Sequence, residues 1–180
     1  MTVFAFSGSP RPGSSVSHLL KAAIAALPAE VGIIVYEEIL SLPLFSPDLD
    51  EPGMATSPTV MALRQQIKTA DAVIIATPEY AYGMPGSLKN ALDWLVSAGS
   101  FYGKPTAVLS ASPSEAGGER ARSGLLLTLT ALGVIAVPTA SFPVPFVRTK
   151  IDATGAVLDP VFAMQLVAAM AALVQASAVR

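Results

Sequence analysis

The chain has 180 residues, of which 52% are hydrophobic and 13% charged, with a formal net charge of -2, no cysteine and one histidine. That length fits one domain, residues 1–180, and the apolar fraction excludes intrinsic disorder. Without cysteine there is no disulfide framework and no thiolate nucleophile, and His18 alone offers too few soft ligands for zinc, so redox chemistry requires a bound organic cofactor and no metal is expected.

Apolar runs of strand length alternate with segments of helical period, the pattern of a parallel sheet covered on both faces. Val3 to Phe6 reads as a first strand, followed by Leu20, Ala23, Ile24 and Leu27 at helical spacing. Gly32 to Tyr36 is the second strand; a long Pro-rich loop to Pro58 precedes a helix over Val60 to Lys68, and Val73 to Ala76 forms the third strand, ending at Thr77-Pro78. Leu88, Leu92, Leu95 and Val96 mark a third helix that Gly99 should end. A fourth strand is expected over Pro105 to Ser110 and a helix from Glu119 to Leu132 with Gly133 as its stop. The fifth strand is read as Val134 to Val137, and Leu166, Val167, Met170, Leu173 and Val174 mark a closing helix. Five strands alternating with five helices predict an α/β, doubly wound, flavodoxin-like sheet in the order 2-1-3-4-5.

Two long uncharged stretches test a membrane reading, since the mean hydropathy is +0.58. Ser123 to Val147 is interrupted by Gly133, Pro138, Pro143 and Pro145, and Pro160 to Val179 is largely Ala, so neither is expected to span a bilayer. Met1 to Phe6 shows no basic region of a secretory signal, which makes the cytoplasm the expected location. A pI near 5.3 gives no reason to expect a nucleic-acid partner.

In an open parallel sheet ligands bind at the carboxyl ends of the strands where strand order reverses, which brings together the loops after strands one, three and four. The first loop carries Ser9, Arg11, Ser14, Ser15 and Ser17 at the start of a helix, a donor set that suits a phosphate; capping of the helix by one of the serines is the plainer reading and is compatible with it. The loop matches neither the Rossmann nor the Walker pattern. In the second loop, Pro78 to Gly86, Tyr80 and Tyr82 lie among Pro and Gly residues, either as a turn with aromatic contacts or as a rigid backbone against a flat ring, with Gly83 and Gly86 supplying conformations closed to other residues. The third loop runs from Ala111 to Gly118.

The run Pro78-Glu79-Tyr80-Ala81-Tyr82-Gly83-Met84-Pro85-Gly86-Ser87-Leu88-Lys89-Asn90-Ala91-Leu92-Asp93-Trp94-Leu95 closely resembles the signature of the NAD(P)H-dependent FMN reductase family, which includes chromate, quinone and azo reductases, and Gly8-Ser9-Pro10-Arg11 with the serines that follow resembles its phosphate loop. The resemblance implies a flavodoxin-like fold, non-covalent FMN, NADPH or NADH as reductant, and a homodimer or homotetramer. It places Ser9, Arg11, Ser14, Ser15, Val16 and Ser17 at the FMN phosphate, Pro78, Glu79, Tyr80, Ala81, Tyr82 and Gly83 along the isoalloxazine, and Ser112, Gly117 and Gly118 at the pocket's edge. The chain departs from it at three places: Ala81 stands where many members have Asn, a Ser common in the family near Gly83 is missing, and Val16 stands where a polar residue is frequent.

The reading that follows is an oxidoreductase in which hydride passes from NAD(P)H to flavin N5 and on to a small acceptor: a quinone, an azo compound, a metal oxyanion or free flavin. The cofactor carries the chemistry, so no catalytic side chain is assigned. The alternative is a flavin-binding electron carrier or sensor that does not turn over NAD(P)H. Elsewhere, His18 is expected to be exposed or capping, and Asp48, Asp50 and Glu51 to be a solvated loop. Trp94 reads as packing and Lys89 as surface charge, or within the resemblance as subunit interface, and Arg120 and Arg122 meet either a reductant phosphate or solvent.

Overall fold

The computed structural model describes residues 1–51 and 57–178; residues 52–56 of the long loop and Val179, the end of the second apolar stretch, lie outside the described residues. Five strands form the main path of the sheet: β1 (Thr2–Ser7), β2 (Gly32–Tyr36), β3 (Ala72–Pro78), β4 (Pro105–Ala111) and β5 (Ile135–Ala136), in the order β2-β1-β3-β4-β5, all parallel. This is the order expected of a flavodoxin-like sheet. β3 and β4 are buried along their whole length, which is why both read as unbroken apolar runs rather than alternating ones.

Alternate residues of each strand enter two separate cores. Val3, Ala5, Ile74, Ala76, Ala107 and Leu109 face α1 (Ser15–Ala25) and the closing helix, α6 (Pro160–Ala178), whereas Phe4, Phe6, Val73, Ile75 and Val108 face α2 (Pro58–Thr69), α3 (Gly86–Asp93) and α4 (Glu119–Ala131). The first core is rich in Ala on strands and helices alike, so α1 and α6 lie close to the sheet. The second is filled by large rings, with Phe4, Phe6 and Tyr36 in mutual contact at 5.5–6.5 Å.

Three elements differ from the sequence reading. The third helix ends at Asp93 rather than at Gly99, because Arg64 of α2 donates from Nε to the Trp94 carbonyl at 2.9 Å and so satisfies the helix end from outside. Val96 is consequently 64% exposed instead of part of the buried stripe. The expected fifth strand, Val134 to Val137, is only the first half of that edge. After a 3-10 turn at Pro138–Ala140 a further strand, β6 (Phe142–Val144), pairs with the far end of β4. Pro138 cannot continue the ladder, and the Ser141 hydroxyl accepts from the Val108 amide at 3.0 Å where the break would otherwise strand that donor. Between β6 and α6 the chain makes a short helix, α5 (Val147–Lys150), and a turn bridged at Ile151 and Val157.

Helix α6 is 19 residues with a mean hydropathy of 1.8, long and apolar enough to cross a membrane. Its inner side, Phe162, Leu166, Ala169, Met170 and Leu173, is buried in the first core, and Asp159 caps its start by accepting from the amides of Val161 at 2.9 Å and Phe162 at 3.2 Å. Val167, expected in the buried stripe, is 55% exposed.

Candidate functional site

The ends of β1, β3 and β4 are aligned, Ser7 opposite Ala76 and Pro78 opposite Ala111, so the loops that follow leave the sheet on one edge. The Gly8 amide extends the ladder by donating to the Ala76 carbonyl at 2.7 Å. A Cβ at Gly8 would lie 2.8 Å from Leu88 Cδ2, so any larger residue here would require the Leu88 side chain of α3 to shift.

In the first loop Ser14 is the N-cap of α1, its hydroxyl accepting from the Ser17 amide at 3.1 Å and pairing with the Ser17 hydroxyl at 2.9 Å. Ser14 and Ser17 are thus engaged in the cap. The amides of Ser15 and Val16 have no partner among the described residues, and the Arg11 guanidinium beside them is exposed and unpaired. Ser9 is buried, its hydroxyl accepting from the Arg11 amide at 3.4 Å, which folds the loop back over the helix end. Val16 is 3% exposed with its side chain in the first core, so it has only a backbone amide to offer a ligand.

The start of α4 is different. Glu79, at the end of β3, accepts through Oε2 from the amides of Arg120 at 3.0 Å and Ala121 at 3.1 Å. A carboxylate of the chain's own already fills the positive end of that helix. The starts of α1 and α3 on this edge both keep first-turn amides without a partner among the described residues, and only the loop before α1 adds serine hydroxyls and an arginine to them.

The second loop is a tight two-residue turn. Tyr80 and Gly83 exchange both backbone hydrogen bonds, at 2.9 and 3.0 Å, while Ala81 and Tyr82 have φ of 48° and 65°. Left-handed conformation at both central residues defines a type I′ turn, which favours Asn and Gly. The sequence assigned the special conformations to Gly83 and Gly86; the structure assigns them to Ala81 and Tyr82. Gly83 and Gly86 have ordinary dihedrals, and an added Cβ would meet only the Tyr80 carbonyl at 3.8 Å or nothing. Their surface faces open space that a flat ring can approach. Tyr80 and Tyr82 are 49% and 71% exposed, and Arg120 stacks over the Tyr82 ring at 4.1 Å, a contact that tethers the turn to α4. Just beyond, Ser87 Oγ in the first turn of α3 is buried without a hydrogen-bond partner among the described residues.

In the third loop Ser112 accepts from the Ser114 amide at 3.1 Å and donates its own amide to the Val144 carbonyl. Gly117 and Gly118 have φ of 59° and 82°, and a Cβ on Gly117 would lie 2.8 Å from the Pro145 nitrogen. Both glycines are therefore required by the loop's own packing against β4 and β6.

The rest of the signature serves a different purpose. Asn90 accepts from the Phe45 amide at 2.8 Å and donates to the Pro43 carbonyl at 3.0 Å, and the buried Trp94 donates from Nε1 to the same carbonyl at 2.8 Å. These residues latch the long loop after β2 onto α3, and Trp94 is 1% exposed. Lys89 pairs with Asp93 at 2.6 Å on the surface. The acidic cluster is not wholly solvated: Asp50 pairs with Arg64 at 2.7 Å, and its side chain is 8% exposed. Burial pushes its carboxyl up, but hydrogen bonds from Ser97 and Arg64 and the Arg64 charge outweigh this and hold it below the ordinary range. Arg122 is committed to Glu119 at 2.6 Å, and its hydrogen bond to Glu119 is the main cause holding that carboxyl below the ordinary range. His18 is half-buried, and its backbone amide donates to the Ser14 carbonyl at 3.0 Å.

A doubly wound sheet whose switch-point edge carries free helix amides, serine hydroxyls and an unpaired arginine, beside an open tyrosine turn, belongs to the class of flavodoxin-like folds. Residues 1–149 match the family of NADPH-dependent FMN reductases, and the chain belongs to that family. It is 38% identical to an NAD(P)H-dependent FMN reductase of Pseudomonas aeruginosa over 159 residues, covering 87% of this chain and 84% of the relative. It is 34% identical to a quinone reductase of Escherichia coli over 163 residues, covering 88% of this chain and 86% of the relative. Among solved structures, FerB, a flavoenzyme NAD(P)H:(acceptor) oxidoreductase from Paracoccus denitrificans, superposes with a TM-score of 0.84 at 29% identity, over 98% of this chain and 97% of that one. The protein is an NAD(P)H-dependent, FMN-containing oxidoreductase.

Proposed function

We propose that the protein reduces small quinone-type acceptors at the open surface over the Tyr80–Gly83 turn, with FMN anchored by its phosphate at the start of α1. The observation that carries the placement is the donor set at the start of α1, where the free amides of Ser15 and Val16 share a loop with serine hydroxyls and Arg11, whereas Glu79 fills the start of α4 and the loop before α3 carries no cation. Ser9, Ser14, Ser15, Ser17 and Arg11 would hold the phosphate dianion through charge-assisted hydrogen bonds. The backbone from Pro78 to Gly83 would lie along the ring, with Ser112, Gly117 and Gly118 closing the edge. Bound there, FMN supplies the redox chemistry by accepting a hydride from NAD(P)H and passing the electrons to the acceptor. The chain's own task is positioning. Arg120 and Glu79 hold the turn against α4, and the absence of side-chain bulk at Ala81 and Gly83 leaves one face clear for reductant and acceptor in succession.

The location in the cytoplasm and the assembly as a homodimer or homotetramer belong to the same proposal. Large exposed apolar side chains such as Leu127, Val161 and Met164 support a subunit interface; light scattering on the purified protein measures the state. The activity is tested by the visible spectrum under anaerobic NADPH and then NADH. Bleaching of the flavin, reversed by a small quinone, is the expected outcome. A flavin that stays oxidised with both nucleotides overturns the reductase reading in favour of an electron carrier.

A further inference from the structure

Arg120 and Arg122 both stand in the first turn of α4, and the structure gives them different surroundings. Arg122 is neutralised by Glu119, whose carboxylate accepts from its Nη2 at 2.6 Å and from its Nε at 2.9 Å. Arg120 is exposed, and its side chain makes no ion pair or hydrogen bond among the described residues. Its guanidinium lies over the Tyr82 ring, 4.1 Å from the centroid. Glu79, which joins the same turn to α4, directs Oε2 to the backbone amides of Arg120 and Ala121. Stacking engages only the face of a guanidinium and leaves the N–H donors at its rim open. A cation with unused donors is thus held at the border of the tyrosine turn.

We propose that Arg120 clamps a phosphate of the NAD(P)H reductant, with Tyr82 as the platform that holds the guanidinium in place. The inference rests on the placement of FMN along Pro78 to Gly83, because a nicotinamide on the open face of that ring carries its phosphates past the turn. A planar guanidinium fork matches phosphate oxygens in a bidentate manner. Tyr82 fixes the plane of the fork beforehand, so less side-chain freedom is lost when the anion arrives. Tethering the turn and holding the reductant use different parts of one side chain, the face for Tyr82 and the rim for phosphate. The arginines of this edge then have three separate tasks: Arg11 serves the flavin phosphate, Arg120 the reductant, and Arg122 the packing of α4 through Glu119.

The test measures binding of NADP+ and NAD+ to the oxidised, FMN-loaded protein by calorimetry, where no turnover occurs, for the wild type, Arg120→Gln, Arg120→Lys and Arg122→Gln. Loss of one charge-assisted contact at an exposed site should weaken NADP+ about five- to tenfold in Arg120→Gln. Arg120→Lys, which keeps the charge, should lose less, and Arg122→Gln should match the wild type. Added salt should weaken NADP+ for the wild type and narrow its gap to Arg120→Gln. The Gln amide is planar and can still lie on Tyr82, so FMN affinity, titrated separately on flavin-free protein, should stay at the wild-type level. A loss confined to NADP+ assigns the clamp to the 2′-phosphate, and an equal loss for NAD+ assigns it to the diphosphate that both nucleotides share. Unchanged affinity for both nucleotides, no binding of either by the wild type, or a loss seen only in FMN affinity overturns the clamp and leaves Arg120 as a tether of the turn. Failure of FMN itself to bind the wild type overturns the flavin placement, and the clamp with it.

Discussion

At Ala81 the backbone sits in the left-handed region with a φ of 48°, where an L-residue other than Gly or Asn pays a steric penalty of about 1–2 kcal/mol between its Cβ and the carbonyl that follows. The penalty is tolerated because the two Tyr80–Gly83 hydrogen bonds and the Arg120–Tyr82 stack determine the turn from both sides. Ala81→Asn should therefore raise stability by about 1 kcal/mol, seen as a rise of roughly 3 °C in Tm for a domain of this size. An unchanged or lower Tm would show that the surroundings have already relieved the strain. Glu79 carries the opposite effect. Removing its carboxylate leaves the Arg120 and Ala121 amides without their partner and the positive end of α4 unopposed, so Glu79→Ala should cost about 1–2 kcal/mol in urea denaturation. If only FMN affinity fell, with stability intact, Glu79 would be a ligand contact instead of a cap.

The elements were legible in the sequence wherever period and burial agree. β3 and β4 are buried throughout and largely apolar because both faces are covered, and α4 stops short of Gly133, whose φ of 70° turns the chain out of the helix, because the stop residue is local. The sequence misled where a partner distant in the chain decides the outcome. α3 stops short because Arg64 satisfies its end, the fifth strand is broken by Pro138 and repaired by Ser141, and Asp50 looks like loop charge until Arg64 and Ser97 are brought to it. The candidate site divides in the same way. Its serines and Arg11 are contiguous and readable, whereas the strain at Ala81 and Tyr82 was assigned to the glycines because composition cannot locate a φ. The Asp50 contact also makes stability depend on pH. A carboxyl held below its unfolded value binds fewer protons in the folded state, so its contribution is complete above the ordinary carboxylate range and is lost as pH falls through the lowered value. Asp50→Asn should then cost roughly 2 kcal/mol at neutral pH, with Arg64 left without a counter-charge. The gap to wild type should narrow below about pH 4, near the unfolded Asp value. A gap that stays constant with pH would assign the loss to packing.

At the scale of the whole molecule, cofactor and fold are linked by mass action, since the placement proposed for FMN uses loops that β1, α1, β3 and β4 bring together only in the folded chain. Free FMN at about a hundred times its Kd should stabilise the protein by about 2.7 kcal/mol. Arg11 lets this linkage separate binding from structure. Its guanidinium is exposed and has no partner among the described residues, so Arg11→Ala should leave the flavin-free protein's Tm where it was. Loss of a charge-assisted hydrogen bond to the phosphate should nevertheless weaken FMN by about 1.5–3 kcal/mol, roughly ten- to a hundredfold or more. The paired measurement is Tm against FMN concentration for both proteins. The expected result is a common starting point from which the wild type rises at lower FMN. Superimposable curves would remove Arg11 from the phosphate site, and a lower starting Tm for the variant would mean that the loop needs the guanidinium for its own fold.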